Sequence, residues 1–524
     1  MELSKTTIGI ELGSTRIKAV MLNDKYEIIA QGFYDWENKF INGIWTYDIA
    51  EVILGLQSCY KDLASNFEAR YDQKLTTTGA IGISGMMHGY LVFDKEGNHL
   101  AEFRTWRNTI TEEASKILSK EFNFNIPQRW SVSHIYQAII NNEAEVKNID
   151  FATTLAGYIH YKLTNKRVIG IGDGSGMFPI DTNILDYDKK MLDKFESLVK
   201  NKVSWKLLDI LPKILVAGDN AGYLTKEGAL LLDPTGTLLP GIPLCPPEGD
   251  QPTGMVATNS VRSNTGNASF GTSFNITIVT NKNIGLHPEI NVITSPAGVN
   301  ASLVHVSNGT GEINAWMNLF SEVIELFGNK IDKNELYSKL FNTSLSASYD
   351  VNGLLAYNYN SGEPIAKINE GRPLIIRKPG TNIKISDFMR MQIYSLLTTI
   401  RMGMDILTEK EGVKINKIYG HGGFFKTPIV GQRLLSAAIN TPVIVLKSAG
   451  EGGPYGMALL ASYYLFKEDN EKLEDFLDNK VFKDLPSDYQ MAMQDDIDDF
   501  NLYYQRFLDG LNIEKEAIKA TKYN

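Results

Sequence analysis

The stretch Ile8-Gly-Ile-Glu-Leu-Gly-Ser-Thr-Arg-Ile-Lys-Ala-Val-Met-Leu22 carries the first decision about the fold. Ile8 to Leu12 reads as a short apolar strand, Gly13-Ser14-Thr15 as turn chemistry, and Ile17 to Leu22 as a second strand. Glu27 to Phe33 supplies a third, so the chain opens as a meander of two tight hairpins. Asp48 then opens an amphipathic helix in which Ile49, Val52, Ile53, Leu56, Cys59 and Leu63 recur at helical spacing. Gly79 to Ser84 is a buried-strand run, followed by Tyr90 to Asp94. Three meandering strands, a helix and a further strand predict a mixed α/β sheet, not an all-parallel Rossmann order.

Moving outward, a similar device recurs near residue 265. Asn267-Ala-Ser-Phe-Gly-Thr-Ser273 runs into Phe274-Asn-Ile-Thr-Ile-Val279, again strand, glycine-hydroxyl-hydroxyl turn, strand. Aligning Gly13 with Gly271 places Leu12 on Phe270 and Ile10 on Ala268, but beyond the turn the alternation slips by one. One such device per half predicts two domains of related build meeting near residue 260, spanning 1–260 and 261–524. Phe388 to Lys410 reads as a long helix with Met389, Met391, Ile393, Leu396, Leu397, Ile400 and Met404 inward. Asn416–Tyr419 and Val443–Leu446 read as strands, Val430–Ile439 as a helix, and Gly450 to Gly456 as the opening of another helix. Glu468 to Asp509 reads as an acidic helical face packed by Phe476, Phe482, Tyr489, Met493 and Leu502.

Length and composition agree with this division. A chain of 524 residues exceeds one compact core, and 43% apolar with 22% charged residues is ordinary for a folded globular protein. The net charge of −9 argues against general nucleic-acid binding. No apolar run approaches the ~20 residues that span a bilayer, and the first residues show no signal-peptide pattern. Cys59 and Cys245 cannot build a disulfide framework, so both are expected to be reduced and structural. The expectation is a cytoplasmic protein with no membrane and no nucleic-acid partner.

Three glycine-rich turns offer backbone N–H groups to a phosphate: Gly13-Ser14-Thr15, Gly271-Thr272-Ser273 and Gly420-His421-Gly422-Gly423. None matches the P-loop or dinucleotide glycine patterns. Asp250, in Pro246-Pro-Glu-Gly-Asp-Gln-Pro-Thr-Gly254, stands at a loop-to-helix junction. It can be a helix cap or a base that accepts a hydroxyl proton, with Glu248 the competing base. Met86-Met87-His88-Gly89 follows a strand at its carboxyl end, where ligands gather in α/β sheets. Trp106-Arg107-Asn108 offers an aromatic face and fork donors, or a rim salt bridge and a packed Trp.

In this order the segments resemble the FGGY family of carbohydrate kinases, within the actin-like ATPase superfamily, over nearly the whole chain. Ile8 to Lys18 resembles the first phosphate motif and Gly82-Ile-Ser-Gly-Met-Met-His-Gly89 the sugar-binding segment of xylulose kinases. Gly157 to Thr164 with Asp173-Gly-Ser-Gly176 is similar to the middle signature, Gly249-Asp250-Gln251 to the catalytic-base motif, and Gly271-Thr272-Ser273 to the second phosphate motif. Gly422-Gly423 through Lys426-Thr427, then Glu451-Gly452-Gly453, resembles the adenosine segment.

The resemblance implies an α/β fold of two actin-like, ribonuclease H-like domains with a cleft between them. It implies ATP-dependent phosphorylation of a ketopentose at its terminal hydroxyl, with Asp250 as general base. Met87, His88, Trp106, Arg107, Asn108 and Gln251 would line the sugar site. Gly13, Ser14, Thr15, Gly271, Thr272 and Ser273 would hold ATP phosphates, and Gly422, Gly423 and Lys426 would border the adenosine. Glu11 stands where the family usually has Asp and would act on Mg²⁺ through water. Trp106-Arg107-Asn108 in place of Trp-Asn-Asp, and Gln251 in place of Asn, point toward a ketopentose other than D-xylulose, such as L-ribulose. The family leaves room for a homodimer. The competing classes are a polyol kinase, a nucleotide-binding scaffold and a sugar-binding regulator.

Overall fold

The structure is a computed structural model describing residues 1–271, 273–446 and 452–522. Thr272, Gly450 and Glu451, singled out above, lie outside the described residues.

The first sheet is built from β1 (Thr7–Leu12), β2 (Arg16–Leu22), β3 (Ile28–Asp35), β4 (Ala80–Gly85) and β5 (Glu248–Gly249), in the order β5-β4-β1-β2-β3. The meander β1-β2-β3 is antiparallel, while β4 and β5 join β1 in parallel. The run Tyr90 to Asp94 does form a strand, Leu91–Phe93, but it pairs with Phe151–Thr153 outside this sheet. The second sheet holds β6 (Thr265–Phe270), β7 (Phe274–Val279), β8 (Ile290–Thr294), β9 (Asn300–Val306), β10 (Lys417–His421), β11 (Val443–Leu446) and β12 (Ser487–Gln490). Its order is β8-β9-β7-β6-β10-β11-β12.

Within it, β9-β7-β6-β10-β11 repeats the order and directions of the first sheet, and β8 and β12 are added at the edges. The repeat read from two glycine turns is therefore a repeat of five strands. The one-residue slip also has a cause. Leu12 pairs with Ile17, whereas Phe270 pairs with Phe274, so the second turn is one residue shorter.

Helices cover both sheets. α1 (Ile49–Tyr71), α2 (Leu155–Thr164) and α3 (Asp250–Ala257) belong to the first half. α4 (Lys333–Ser344), α5 (Ile385–Asp405), α6 (Val430–Ile439), α7 (Gly452–Phe466) and α8 (Gln494–Ala520) follow. Asp48 caps α1 by accepting from the Ala50 N–H at 2.8 Å, and α1 buries Val52, Leu56, Cys59 and Leu63. All seven residues expected to face inward on α5 are buried. The sheets change over between residues 257 and 265, but α7 crosses back and packs on β1, β4 and α3 of the first half.

The acidic stretch departs from its reading. Phe476 and Phe482 are buried, but Tyr489, Met493 and Leu502 are exposed. Ser487–Gln490 is a strand on the edge of the second sheet, and α8 presents Ile497, Phe500, Tyr503 and Phe507 inward. The long-range pairing of β12 with β11 sets the phase of this segment, and Leu502 falls on the outer side of α8. Both cysteines are free and buried, and burial pushes the Cys59 thiol up to about 12.

Candidate active site

The first glycine turn is held from behind. Trp36 Nε1 donates to the Gly13 carbonyl at 2.6 Å, the Tyr47 hydroxyl to the Ser14 carbonyl at 2.5 Å, and the Trp36 N–H to the Thr15 carbonyl at 3.2 Å. The Trp36 and Tyr47 rings stack at 4.3 Å. All three carbonyls of the turn are thus occupied, the arrangement an anion-binding turn needs on its back face. The second turn repeats the device with other residues: both the Thr310 N–H and its hydroxyl donate to the Gly271 carbonyl, at 3.3 and 3.1 Å. Gly271, Gly423 and Lys426 line one cavity of about 620 Å³, closed by Asn334, Tyr337 and Phe341 of α4.

Asp250 is the first residue of α3, and its N-cap is Gly249. The cap reading therefore gives way: the carboxylate is free for chemistry at the positive end of a helix. It accepts from the Gln251 N–H at 2.9 Å and from the Met87 N–H. The residue is open to solvent through the cleft yet ringed by protein. That crowding pushes its carboxyl up to about 6, against the pull of the backbone donors and Arg129. Glu248, the competing base, is buried and accepts from the Gly172 and Asp173 N–H groups at 3.1 and 2.8 Å. It holds the loop that carries the middle signature and has no open path to a substrate.

His88 sits at φ 71°, left-handed for a residue with a side chain. Its ring lies 6.3 Å from that of Trp130, nearly parallel, and Nδ1 donates to the Gly176 carbonyl at 3.1 Å. A carbonyl can only accept, so Nδ1 carries the hydrogen and Nε2 keeps its lone pair. Burial lowers the imidazole to about 3, so it stays neutral at physiological pH. Met87 is buried below Asp250. Gln251 reaches across the halves and donates to the Thr277 hydroxyl at 2.8 Å.

The Trp106-Arg107-Asn108 segment is placed differently from the rest. Asn108 is buried and engaged with backbone, accepting from the Trp45 N–H at 2.9 Å and donating to the Trp45 and Thr105 carbonyls at 2.8 and 2.9 Å. Its side chain clamps the Lys39–Thr46 hairpin through the Trp45 backbone. Arg107 lies 3.8 Å over the Trp45 ring, and Trp106 is exposed beside it.

Family comparison agrees with this geometry. Residues 6–257 match the N-terminal domain of the FGGY family of carbohydrate kinases, and residues 266–465 match its C-terminal domain. The chain belongs to the FGGY family of carbohydrate kinases. It is 24% identical to a xylulose kinase of Haemophilus influenzae over 394 residues, 73% of this chain and 75% of the other. It is 21% identical to a glycerol kinase of Thermococcus kodakarensis over 356 residues, 64% of this chain and 66% of the other. Among solved structures, a ligand-bound xylulose kinase from Lactobacillus acidophilus superposes with a TM-score of 0.77 at 16% identity, covering 98% of this chain and 99% of the other. A gluconate kinase from the same organism gives 0.77 at 17% identity over the same shares. These likenesses establish the two-domain kinase fold.

This FGGY kinase keeps Glu11 beside the first turn. Burial first, then Asp250, pushes the Glu11 carboxyl up to about 7, while Lys18 pulls it down. Gly453, at the start of α7, makes room for it: a Cβ there would stand 2.0 Å from Glu11 Oε1. Two raised carboxyls, Glu11 pushed up in part by Asp250, form a donor set that a hard cation would relieve. Among the described residues no group of three or more acidic, His or Cys side chains gathers. A cation here would therefore keep most of its waters, as Mg²⁺ does beside phosphates.

Sequence reading missed Asp173, Arg129 and the α4 wall. Asp173 is fully buried, its Oδ2 accepts from the Thr154 hydroxyl at 2.6 Å, and burial raises its carboxyl well above the ordinary range. In the sequence this residue stands out only as part of the middle signature, Asp173-Gly-Ser-Gly176. Nothing local marks Arg129, and the α4 residues Asn334 and Tyr337 reach the cavity only through the tertiary fold. Among the described residues, no helix is long and apolar enough to cross a membrane.

Proposed function

We propose that the enzyme transfers the terminal phosphoryl group of ATP to the terminal hydroxyl of a ketopentose, with Asp250 as general base. One observation carries the reading. A carboxylate at the first turn of α3 is open to the cleft, bonded only by backbone N–H groups, and adjoins both the His88 segment and Glu11. In that position it accepts the proton as the sugar oxygen attacks. Phosphoryl transfer needs little covalent help from protein; it needs the hydroxyl aligned and the charge balanced.

The two glycine turns serve the phosphates, and the cavity walled by Tyr337 and Asn334 takes the adenosine. Its volume suits a nucleoside. Mg²⁺, when bound, would neutralise charge on the phosphates, and Glu11 would be the residue placed to hold it through water. Met87 seats Asp250 through its N–H, and His88 Nε2 accepts from a sugar hydroxyl. The resemblance favours D-xylulose, and Gln251 favours a second ketopentose, L-ribulose: its amide is tied to Thr277 and leaves a differently shaped wall.

The test is ADP release with Mg·ATP over D-xylulose, L-xylulose, D-ribulose, L-ribulose and glycerol, with the product's phosphate located by ³¹P–¹H correlation. One ketopentose well ahead of the rest, phosphorylated at its terminal carbon, is the expected result. Turnover of glycerol alone would overturn the reading.

A further inference from the structure

We propose that the nucleotide cavity takes a purine triphosphate whatever group the base carries at C6, so that ITP and GTP donate the phosphoryl group beside ATP. The inference rests on the sugar-kinase reading above and widens its donor. The reaction itself is unchanged. The bond from the γ-phosphorus to the nucleoside diphosphate breaks, a bond to the sugar oxygen forms, and the hydroxyl proton passes to Asp250.

The cavity has two unlike sides. Gly271, Gly423 and Lys426 come with the glycine turns. The other side is helical: Asn314 stands on the helix Gly311–Leu326, and Asn334, Tyr337 and Ser338 stand on α4. Helical backbone reads a base edge poorly, because its N–H and C=O groups are spent within the helix. The first turns of both helices are no exception here. The Asn314 N–H donates to the Thr310 carbonyl at 2.9 Å, and the Asn334 N–H donates to Asp332 Oδ1 at 2.9 Å. A base against this wall therefore meets side chains.

Those side chains have no fixed sense. Asn314 and Asn334 each carry an acceptor oxygen and a donor nitrogen, and a half-turn of the amide exchanges them. Among the described residues, neither amide has a hydrogen-bond partner that would lock its orientation. The hydroxyls of Tyr337 and Ser338 donate or accept alike, and burial raises Tyr337, so it keeps its hydrogen. Adenine offers a donor at C6 and an acceptor at N1. Hypoxanthine and guanine offer the reverse, a carbonyl at C6 and an N–H at N1. A wall that reverses with the base separates them weakly.

Exposure acts in the same direction. Rejection by hydrogen bonding needs a buried group that the wrong ligand leaves unpaired. Asn314 and Asn334 are both exposed, so water can complete whatever the base does not. Lys426 only donates, and purine N7 accepts in all three bases. The ring itself meets an aromatic wall that ignores C6, with Tyr337 5.8 Å from Phe341 and Phe341 5.9 Å from Phe424. A second cavity of about 270 Å³ adjoins the first, and Asn314 and Tyr337 stand in the walls of both. Polar residues Asn318, Ser321 and Lys333 line it, which leaves room for the 2-amino group of guanine.

The experiment measures kcat/KM for Mg·ATP, Mg·ITP, Mg·GTP and Mg·CTP at a saturating concentration of the preferred sugar. It uses the wild type, Asn314→Asp and Asn334→Asp. The wild type is expected to use ITP and GTP within about tenfold of ATP. CTP, whose single ring covers less of the aromatic wall, should fall at least about tenfold below ATP. A carboxylate only accepts, so at least one variant should tilt the ATP:ITP ratio toward ATP by about tenfold. Its repulsion of the phosphates slows both nucleotides and cancels in the ratio. A deficit of more than about tenfold for wild-type ITP overturns the proposal, and this arm needs no variant to fold. GTP more than about tenfold below ITP overturns the role of the second cavity. CTP equal to ATP, or an unmoved ratio in both variants, overturns the role of the helical wall. If no sugar is turned over with any donor, the kinase reading falls, and calorimetry with Mg·ADP and Mg·IDP decides the tolerance by the same limit. Binding of neither overturns both.

Discussion

The helix that follows the fifth strand begins with an acid in one half of the molecule and with glycine in the other. In the first half, β5 ends at Gly249 and α3 starts at Asp250. In the second, the helix after β11 is α7, which starts at Gly452-Gly453. The sheets behind them have the same order and directions. The two helices meet so closely that a Cβ on Gly456 of α7 would stand 1.9 Å from the Thr253 carbonyl oxygen of α3. A duplicated scaffold thus presents two equivalent positions to one cleft, and they are used differently. One carries Asp250, the proposed base, and the other supplies space for Glu11.

Four changes would break or sharpen that asymmetry. The largest effect is expected at Asp250. Asp250→Asn should lower kcat by about 10²–10⁴-fold, the span of general-base catalysis, with sugar binding by calorimetry nearly unchanged. Next is Glu11→Gln, which should raise the Mg²⁺ concentration for half-maximal rate by about 10–100-fold if the carboxylate orients a metal-bound water. Gly456→Val attacks the joint rather than the chemistry. Overpacking α7 against Thr253 should destabilise the fold by about 1–3 kcal/mol, read from urea unfolding.

The smallest effect concerns Glu248. Burial pushes this carboxyl up to about 7, above the ~4.3 of an unfolded chain. The folded state therefore holds the proton more tightly. The contribution of Glu248 to stability is complete below the unfolded value and is lost as pH rises through about 7. Glu248→Gln should flatten the fall of melting temperature over that window by a few degrees, the remaining slope coming from the raised carboxyls of Glu11 and Asp173.

Much of this was legible in short, local signals. The meander, the Asp48 cap, the inward face of α5 and the two glycine turns depend on residues within a few positions of one another. What the local pattern could not show was set at long range. Tyr489 and Met493 look like core residues until the pairing of β12 with β11 puts them outside. The bonds that tie the Asn108 amide to the Trp45 backbone, 63 positions away, have no local signal either. Arg129 sits in Ile126-Pro-Gln-Arg-Trp130, where no spacing shows that its charge will bear on Asp250, 121 positions later in the chain. Asp173 and Glu248 gather only when the loop after α2 folds over β5. The return of α7 to the first sheet likewise has no signature, because it depends on a glycine edge fitting a partner about 200 residues away in the chain.

The most direct test of the account is the pH dependence of kcat/KM for the preferred sugar. The base works only when ionised, and crowding pushes Asp250 up to about 6. The account predicts a plateau above that value and about a tenfold fall per pH unit below it, with the sugar still bound. A flat profile between about pH 5 and 8, with the fold and sugar binding intact, would contradict a proton transfer to Asp250.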